Sequence, residues 1–235
     1  MALALTLTRL FLRLLATKAR LLGLGALSLG MVLLAIVVRN DVEPVRASWQ
    51  LFSLYALGGL VPISSLVVGA SAFGDLIDDR TLVYLWLRPV SRPVLLLSAW
   101  LATVILVIPF AVIVPTVALE FAGMSTNAMT TSAFSALLGT LAYSAVFVAL
   151  GLKLPRALAW GLAYILIWEG AVANAGAGLA KLALRLSTRS IAFRAYAGTK
   201  IRYPLATGPA VTFLGAVTIV ALILGVRWLR NAEVA

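Results

Sequence analysis

Few residues of this chain could carry chemistry, and their types exclude most catalytic sites. The sequence contains no cysteine and no histidine, which excludes thiolate chemistry and zinc or haem sites built on those ligands. The densest group of carboxylates, Asp75, Asp78 and Asp79, lies in a connection between two apolar runs. Neither G-x-x-x-x-G-K-[ST] nor G-x-S-x-G occurs, so the chain has no phosphate loop and no nucleophile elbow. We predict no catalytic residue, no metal site and no cofactor in this chain.

Glu169 is the other acidic residue of interest, because it stands near the outer end of the apolar run ILIWEGAVANAG. A charged side chain at the centre of a bilayer costs about 3 kcal/mol even on the translocon scale. Its position therefore makes Glu169 a candidate for a role in translocation or for a bond to a neighbouring helix. A third interpretation is that Glu169 lies at interfacial depth beside Trp168 and is solvated.

The composition indicates a bilayer as the solvent of the elements that carry these residues. Of 235 residues, 63% are hydrophobic and 11% are charged, whereas a soluble domain carries about 25% charged residues. Several apolar runs reach the ~20 residues that a helix needs to cross the hydrocarbon layer. They lack period-2 alternation, which favours helices over a barrel. We predict an all-α membrane protein with a single domain over 1–235.

Six membrane-spanning helices are predicted, joined by short connections. Their approximate bounds are 21–38, 51–74, 94–119, 131–150, 157–178 and 209–226. The third contains Pro109 and Pro115, which are expected to kink it near its far end. The second is lined by residues small enough to let helices approach closely. These residues are Gly58, Gly59, Ser64, Ser65, Gly69, Ala70 and Gly74.

The first 20 residues have the spacing of an amphipathic helix that lies in the membrane interface. Arg9, Arg13 and Arg20 fall within about 40° of one another on a helical projection, and an apolar side opposes them. Such a helix can rest on the headgroups through its basic face. The alternative is a frayed start of the first span. No small-residue cleavage site follows a short apolar core, so we do not interpret this segment as a cleaved signal peptide.

The basic residues predict that both termini are cytoplasmic. The net charge of +11 is explained by topology and by anionic headgroups, without nucleic acid as a partner. With the N-terminus inside, 11 of the 19 basic residues fall in inner segments, whereas the first two outer loops hold only Arg39 and Arg46. The inner set is Arg9, Arg13, Lys18, Arg20, Arg80, Arg88, Arg92, Lys153, Arg156, Arg227 and Arg230.

The segment 179–208 does not follow this rule. Its basic residues are Lys181, Arg185, Arg189, Arg194, Lys200 and Arg202, yet alternation of the six spans places it outside. One explanation is an outer interfacial helix, because Lys181, Arg185 and Arg189 share a face at i, i+4 and i+8. The other is that 157–178 is re-entrant, which would return the basic segment to the cytoplasm.

The connection after the second span reads DDRTLVYLWLRPVSRP over 78–93. An aspartate at 78 or 79 favours the start of a short helix, and Pro89 ends it near Leu87. This helix exposes Leu82, Leu85 and Trp86. An exposed apolar patch between fixed charges suits a protein-docking surface. A helix lying on the membrane surface would show the same pattern.

This stretch resembles the loop after the second span of ABC-2-type transporter permeases, which reads acidic-x-acidic-x-G-T-L-x-x-L-L-x-x-P-V-S-R. The matching residues are Asp75, Asp78, Thr81, Leu82, Leu85, Pro89, Val90, Ser91 and Arg92. Arg80 stands where the family has glycine, and Ser98-Ala99-Trp100 replaces a Gly-Lys pair. The resemblance extends to an N-terminal interfacial helix, six spans, a basic second inner loop and a glutamate late in the fifth span.

The resemblance implies that residues 75–93 form a cytoplasmic coupling loop that docks on a separate ABC ATPase. The implied docking residues are Asp78, Asp79, Arg80, Leu82, Leu85, Trp86, Arg88 and Arg92, with Lys153 and Arg156 in the second inner loop. ATP and Mg²⁺ would be bound by the partner, which is present in two copies. Six spans make half of an export path, so a second permease copy or a paralogue is implied.

The resemblance places the protein in a bacterial or archaeal plasma membrane, where lipids surround it. The alternative function is a secondary transporter or channel-like six-helix protein that works without an ATPase. Such proteins place ionisable residues along the pathway, and Glu169 is the one candidate. A membrane-embedded enzyme lacks ligands and nucleophile–base pairs, whereas a structural scaffold would need no ATPase.

Overall fold

The computed structural model describes residues 2–78, 90–171 and 176–231, and this part of the chain is helical, with short turns and no strand. The helices of the first half are α1 (Ala2–Leu15), α2 (Lys18–Val38), α3 (Pro44–Leu51), α4 (Val61–Asp78), α5 (Arg92–Ile108) and α6 (Val114–Phe121). Those of the second half are α7 (Thr126–Lys153), α8 (Ala157–Ala163), α9 (Ala177–Ala180), α10 (Leu184–Ala192) and α11 (Thr207–Asn231).

Within the described residues, five helices are long and apolar enough to cross a membrane, so the protein is membrane-embedded. They are Lys18–Val38, Pro44–Ile77, Arg92–Phe121, Thr126–Lys153 and Thr207–Asn231. Each of these helices contains one of the predicted spans. The first begins three residues before the predicted span and ends with it, and the other four are longer than the prediction at both ends. The predicted fifth span, 157–178, corresponds to a shorter apolar helix, Ala157–Ala171, and residues 172–175 lie outside the described part.

In the described part of the chain, three π-helical segments continue α-helices without ending them. Phe52–Leu60 joins α3 to α4, Pro109–Ile113 joins α5 to α6, and Tyr164–Ala171 continues α8. In the third span, where Pro109 and Pro115 are expected to produce a kink, a π-helical segment begins at Pro109, whose ring removes one backbone N–H from the helical ladder, and Pro115 lies in α6. The other two segments carry Gly58 and Glu169, which both belong to the site described below.

Helices α4 and α7 approach each other closely at positions occupied by small residues. A Cβ placed on Gly69 would lie 3.3 Å from both the Cβ of Phe147 and the backbone nitrogen of Val148. A Cβ on Gly151 would overlap the backbone oxygen of Ala70. The prediction that small residues of the second span allow close approach is confirmed at Gly69 and Ala70.

The N-terminal region differs from the single amphipathic helix predicted over 1–20. Leu15 ends α1, and Thr17 caps α2 by accepting a hydrogen bond from the backbone nitrogen of Arg20 at 3.4 Å. Arg20 therefore belongs to α2 rather than to the basic face of α1, because the chain turns at Ala16 and Thr17. On α1, a buried face at i, i+4 and i+8 packs against the bundle, and its residues are Leu7, Phe11 and Leu15.

Two opposite ends of the helix bundle can be distinguished by contacts. At the α4–α5 end, where α4 finishes and α5 begins, Arg20 reaches Asp75, and Leu96 lies against Gly225 near the end of α11. At the α10 end, Trp49 lies 5.3 Å from Tyr196 between ring centroids. The start of α7 also lies there, since Ser132 bonds to Tyr196.

The basic segment predicted as an outer interfacial helix is folded into the α10 end. Helix α10 begins at Leu184, so Lys181 lies before it and shares no helical face with Arg185 and Arg189. The three-cation face is therefore wrong. The helix is buried among its neighbours rather than lying on a surface, and its buried residues are Leu184, Ser187, Thr188, Ser190, Ile191 and Ala192. The re-entrant alternative would put this segment on the same side of the membrane as the connection after α4. Helix α10 lies at the opposite end of the bundle, which disagrees with that alternative.

Candidate functional site

Residues of the two predicted inner loops meet at the α4–α5 end. A cleft of about 280 Å³ is lined by Gly74 and Asp75 of α4 and by the turn from Lys153 to Arg156 between α7 and α8. Lys153 and Arg156 are exposed, and Asp75 is exposed beside them. The structure thus brings the start of the 75–93 loop and the basic second inner loop onto one surface.

The turn between α7 and α8 depends on an unusual backbone conformation. Arg156 has φ 56° and ψ 42°, in the left-handed region, and it forms the N-cap of α8. A left-handed conformation costs an L-residue about 1–2 kcal/mol. The turn is thereby kept to three residues, Leu154 to Arg156, so that Arg156 and Lys153, the last residue of α7, line the same cleft.

The remaining predicted docking residues are only partly described. Asp78 is the last residue of α4, and Arg92 is the first residue of α5, where its side chain is half-buried. The others lie outside the described residues. They are Asp79, Arg80, Leu82, Leu85, Trp86 and Arg88.

Glu169 lies in the interior, with 3% of its surface exposed. One carboxylate oxygen, Oε1, accepts hydrogen bonds from the Tyr164 hydroxyl at 2.9 Å and from the backbone nitrogen of Leu184 at 3.1 Å. The other, Oε2, accepts one from the backbone nitrogen of Arg185 at 2.9 Å. The interpretation in which Glu169 is solvated is therefore wrong.

The partners of Glu169 give it a clear structural task. Leu184 and Arg185 are the first two residues of α10, whose initial N–H groups have no partner inside the helix. A carboxylate at this position satisfies those donors and interacts favourably with the helix dipole. Glu169 joins α8 to the N-terminus of α10, so both oxygens are engaged by the protein itself.

Helix α10 is also held along its length by α7. The Ser135 hydroxyl donates to the backbone oxygen of Thr188 at 2.6 Å, and the hydroxyls of Ser132 and Tyr196 are 2.9 Å apart. A Cβ on Gly139 would lie 2.9 Å from Cγ2 of Thr188. These contacts fix the position of the face of α10 that carries Arg185 and Arg189.

The two arginines of α10 are the functional candidates that the sequence analysis assigned only to topology. The guanidinium of Arg185 lies against the backbone of Gly58, where an added Cβ would be 2.7 Å from Nη2. Arg189 lies over the Trp49 ring, 5.8 Å from its centroid. Burial, together with the charge of Arg185, lowers the pKa of Arg189 to about 10. Arg189 is therefore still charged at neutral pH.

A sequence signal for this arrangement exists in hindsight. In LRLSTRSIA the arginines are four residues apart, and Ser187 and Thr188 lie between them after Leu186, with Ser190 following. Small hydroxyl side chains pack well between helices in a membrane. The pattern therefore suits a buried helix with one charged face at least as well as an interfacial helix.

Comparison with protein-family models and with curated proteins found no match for this chain.

Proposed function

We propose that this protein is the permease subunit of an ATP-driven ABC exporter, which forms half of the translocation path and docks on a separate ATPase. ATP and Mg²⁺ would be bound by that ATPase, in two copies for each complex, and a second permease copy or a paralogue would complete the path. The chain would have six spans, with Ala157–Ala171 in the shorter fifth, and would lie in a bacterial or archaeal plasma membrane with both termini cytoplasmic.

The observation that carries the proposal is the shared surface at the α4–α5 end. Asp75, where the permease-like motif begins, lines one cleft with the turn that holds Lys153 and Arg156. A partner that docks on the 75–93 loop would therefore contact the second inner loop as well. The exposed cations of the second inner loop would orient the partner by their charge. The apolar residues of the 75–93 motif would anchor it by burial at the interface.

The positions of the charged residues support an inner location for this end. Besides Lys153 and Arg156, it carries Arg20 and the basic residues at the start of α5 and the end of α11. Cytoplasmic connections are enriched in lysine and arginine. At the opposite end Arg185 and Arg189 are half-buried on a folded helix, so these two cations are held by internal contacts in addition to any effect on orientation.

The alternative of a transporter or channel without an ATPase receives less support. It depends on Glu169 as an ionisable group in a pathway, as in other transporters that use buried carboxylates. Both oxygens of Glu169 accept hydrogen bonds from the protein. A carboxylate so engaged is suited to holding a helix and is poorly placed to exchange ions.

Copurification from native membranes tests the proposal. The intact protein is expected to retain an ABC ATPase in nanodiscs, and Leu85→Asp or Trp86→Asp is expected to lower its retention about tenfold or more, because a buried aromatic or aliphatic anchor is worth ~2 kcal/mol. Arg156→Gln is expected to weaken retention less. The readouts are the amount of bound ATPase and its ATP hydrolysis.

Val42→Asp is the matched control, because Val42 is 97% exposed in the loop between α2 and α3 at the opposite end. It adds the same charge to an exposed apolar position and should leave retention unchanged. The exporter proposal is rejected if no ATPase stays with the intact protein, or if Val42→Asp reduces retention as much as Trp86→Asp does.

A further inference from the structure

Two neighbouring cavities at the α10 end are lined by basic residues. The larger, of about 920 Å³, lies between the start of α3 and the loop after α10. The smaller, of about 280 Å³, lies between α10 and residues 200–203. Arg189 and Lys200 line both cavities, and Arg185 and Arg202 line the smaller one. We call these four side chains the basic pocket.

The basic pocket has no counter-ion within the described residues. The two ion pairs found there, Arg20 with Asp75 and Arg46 with Glu43, involve none of the four. Two acidic residues line the cavities, but Glu43 bonds to Arg46 and Glu169 caps α10. All four cations line the smaller cavity, where the one carboxylate among the described residues is that of Glu169, whose oxygens accept from Tyr164 and from the backbone of α10.

The inner cations are held at fixed positions and still have donors to offer. Nε of Arg185 and Nε of Arg189 are buried and have no hydrogen-bond partner in the described part of the chain. A buried donor without a partner is costly, by about 1–3 kcal/mol and more when the group is charged. An anion in the cavity would offset the charge of the two guanidinium groups, which form no ion pair within the described residues.

We propose that the basic pocket binds a phosphate group, carried either by a soluble phosphate compound or by the headgroup of an anionic phospholipid. A guanidinium presents two parallel N–H donors that match phosphate oxygens, and arginine is the preferred residue where such bidentate contact is required. A phosphate group accepts hydrogen bonds from several directions. The basic pocket offers donors from two sides, with Arg185 and Arg189 on one helix and Lys200 and Arg202 opposite them. This inference does not depend on the proposed function.

The loop that carries Lys200 and Arg202 is tied back to α10. The backbone nitrogen of Leu205 donates to the Ser190 hydroxyl at 3.1 Å, and the Arg194 guanidinium donates to the backbone oxygen of Leu205 at 3.2 Å. Tyr203 has φ 60°, a left-handed conformation that reverses the chain beside Arg202. The outer cations are thus kept beside the inner ones, although both are exposed.

Ligand binding by the intact protein in detergent tests the inference. Inorganic phosphate and a short-chain phosphatidylglycerol are titrated separately, with Trp fluorescence and thermal unfolding as readouts, since Trp49 contacts Arg189. Arg189→Gln and Arg202→Gln are each expected to weaken binding about tenfold, the loss of one charge-assisted hydrogen-bonding group. Arg189→Lys keeps the positive charge but loses the two parallel N–H donors. Its affinity for phosphate is expected to lie between those of Arg189→Gln and the unmodified protein.

Lys181→Gln is the matched control, because Lys181 is an exposed cation of the same segment that does not line either cavity. It should leave the affinity unchanged. The Arg202 variant keeps the test valid if Arg189→Gln fails to fold, since Arg202 is exposed in a loop.

The two arms distinguish the sources of the phosphate group. Saturable binding of inorganic phosphate identifies a soluble ligand, and saturation by phosphatidylglycerol alone, without effect of the zwitterionic phosphatidylcholine, identifies a lipid headgroup. Either result supports the basic pocket when Arg202→Gln weakens it. The inference is overturned if neither probe binds saturably, or if the arginine variants bind as the unmodified protein does.

Discussion

The two ends of the helix bundle carry similar charge but differ in how that charge is held. At the α4–α5 end, Lys153 and Arg156 are exposed at the mouth of a cleft. At the α10 end, Arg185 and Arg189 are half-buried on a helix that is fixed by Glu169 and by serines of α7. Exposed charge in a short turn suits an encounter with a protein, whereas half-buried charge in a cavity suits a small ligand.

The comparison shows why a count of basic residues per connection is an incomplete description of this chain. The positive-inside rule treats each lysine or arginine as an equal reporter. Burial distinguishes two kinds of basic residue. An exposed lysine or arginine can act on membrane orientation alone, whereas a partly buried one has lost some hydration, which costs free energy and indicates that the side chain makes contacts of its own.

The largest expected effect concerns Glu169, because its removal would release the N-terminus of α10. Glu169→Leu leaves two buried N–H groups without acceptors and should lower the free energy of unfolding by about 3 kcal/mol, measured by titration with SDS. Hydrogen exchange at Leu184 and Arg185 should rise in parallel. Glu169→Gln keeps one oxygen acceptor and should lose less.

Glu120→Leu is the control for this substitution, because Glu120 is exposed near the end of α6. A surface change of this kind is expected to stay within about 0.5 kcal/mol. Equal losses of stability in the Glu169 and Glu120 variants would show that the hydrogen bonds of Glu169 to α10 add nothing to stability beyond what an exposed glutamate contributes.

The next effect concerns the α4–α5 end, where the helices themselves are in backbone contact. Gly151→Ala forces a methyl group against the Ala70 carbonyl and should destabilise the protein by about 2 kcal/mol, as overpacking does. Gly74→Ala, near the same cleft, has no atom within 4 Å of the added Cβ. It should be neutral or stabilising by up to about 1 kcal/mol in a helix. A similar loss in both variants would contradict the close α4–α7 contact.

A smaller effect is expected at Gly58, which supports Arg185 in the basic pocket. Gly58→Ala must displace a flexible side chain rather than backbone, so the expected loss of stability is about 1 kcal/mol. Gly59→Ala is the control, since the nearest atom to its added Cβ is a backbone oxygen at 3.9 Å. Phosphate affinity should fall in the Gly58 variant alone, and a fall in both would show that the site depends on helix packing in general.

The smallest effect compares the surface ion pairs of the two ends. Arg20 and Asp75, with side chains 17% and 50% exposed, should give a coupling energy below about 1 kcal/mol in a double-mutant cycle with Gln and Asn. Arg46 and Glu43 are 68% and 63% exposed, and their coupling should be close to zero. Added salt should reduce the first value further. A larger coupling for the Arg46–Glu43 pair would reverse the expected order.

The sequence predicted the long helices well because their signal is local. A run of apolar residues of sufficient length indicates a span wherever it occurs, and the predicted 209–226 lies inside Thr207–Asn231. The break at Thr17 was missed, although threonine is a favoured N-cap, because hydrophobic periodicity continues through it. The predicted span 157–178 overlaps the described helix Ala157–Ala171, and the extended Gly176 that precedes Ala177–Ala180 has no signal in the apolar run itself.

The candidate site was only partly predictable because its partners are distant in the chain. Glu169 was identified as an unusual residue, but its bond to Arg185, 16 residues later, has no signature in composition or spacing. The i, i+4 arginines of α10 have the same pattern whether the helix lies on a surface or in the interior. What distinguishes the two cases is the contact of Thr188 with Ser135, 53 residues away.

The continuous helix from Pro44 to Ile77 gives the two ends a mechanical relation. From Gly58 to Asp75 it rises about 25 Å at 1.5 Å per residue. The Arg185 guanidinium therefore lies against one part of this helix, and the cleft lies beside its other end. An axial push of one ångström at Asp75 would carry the Gly58 backbone along beneath that guanidinium. Gly58 itself lies within the π-helical segment Phe52–Leu60, so a displacement that starts at Asp75 reaches the contact with Arg185 through that segment before it reaches Trp49.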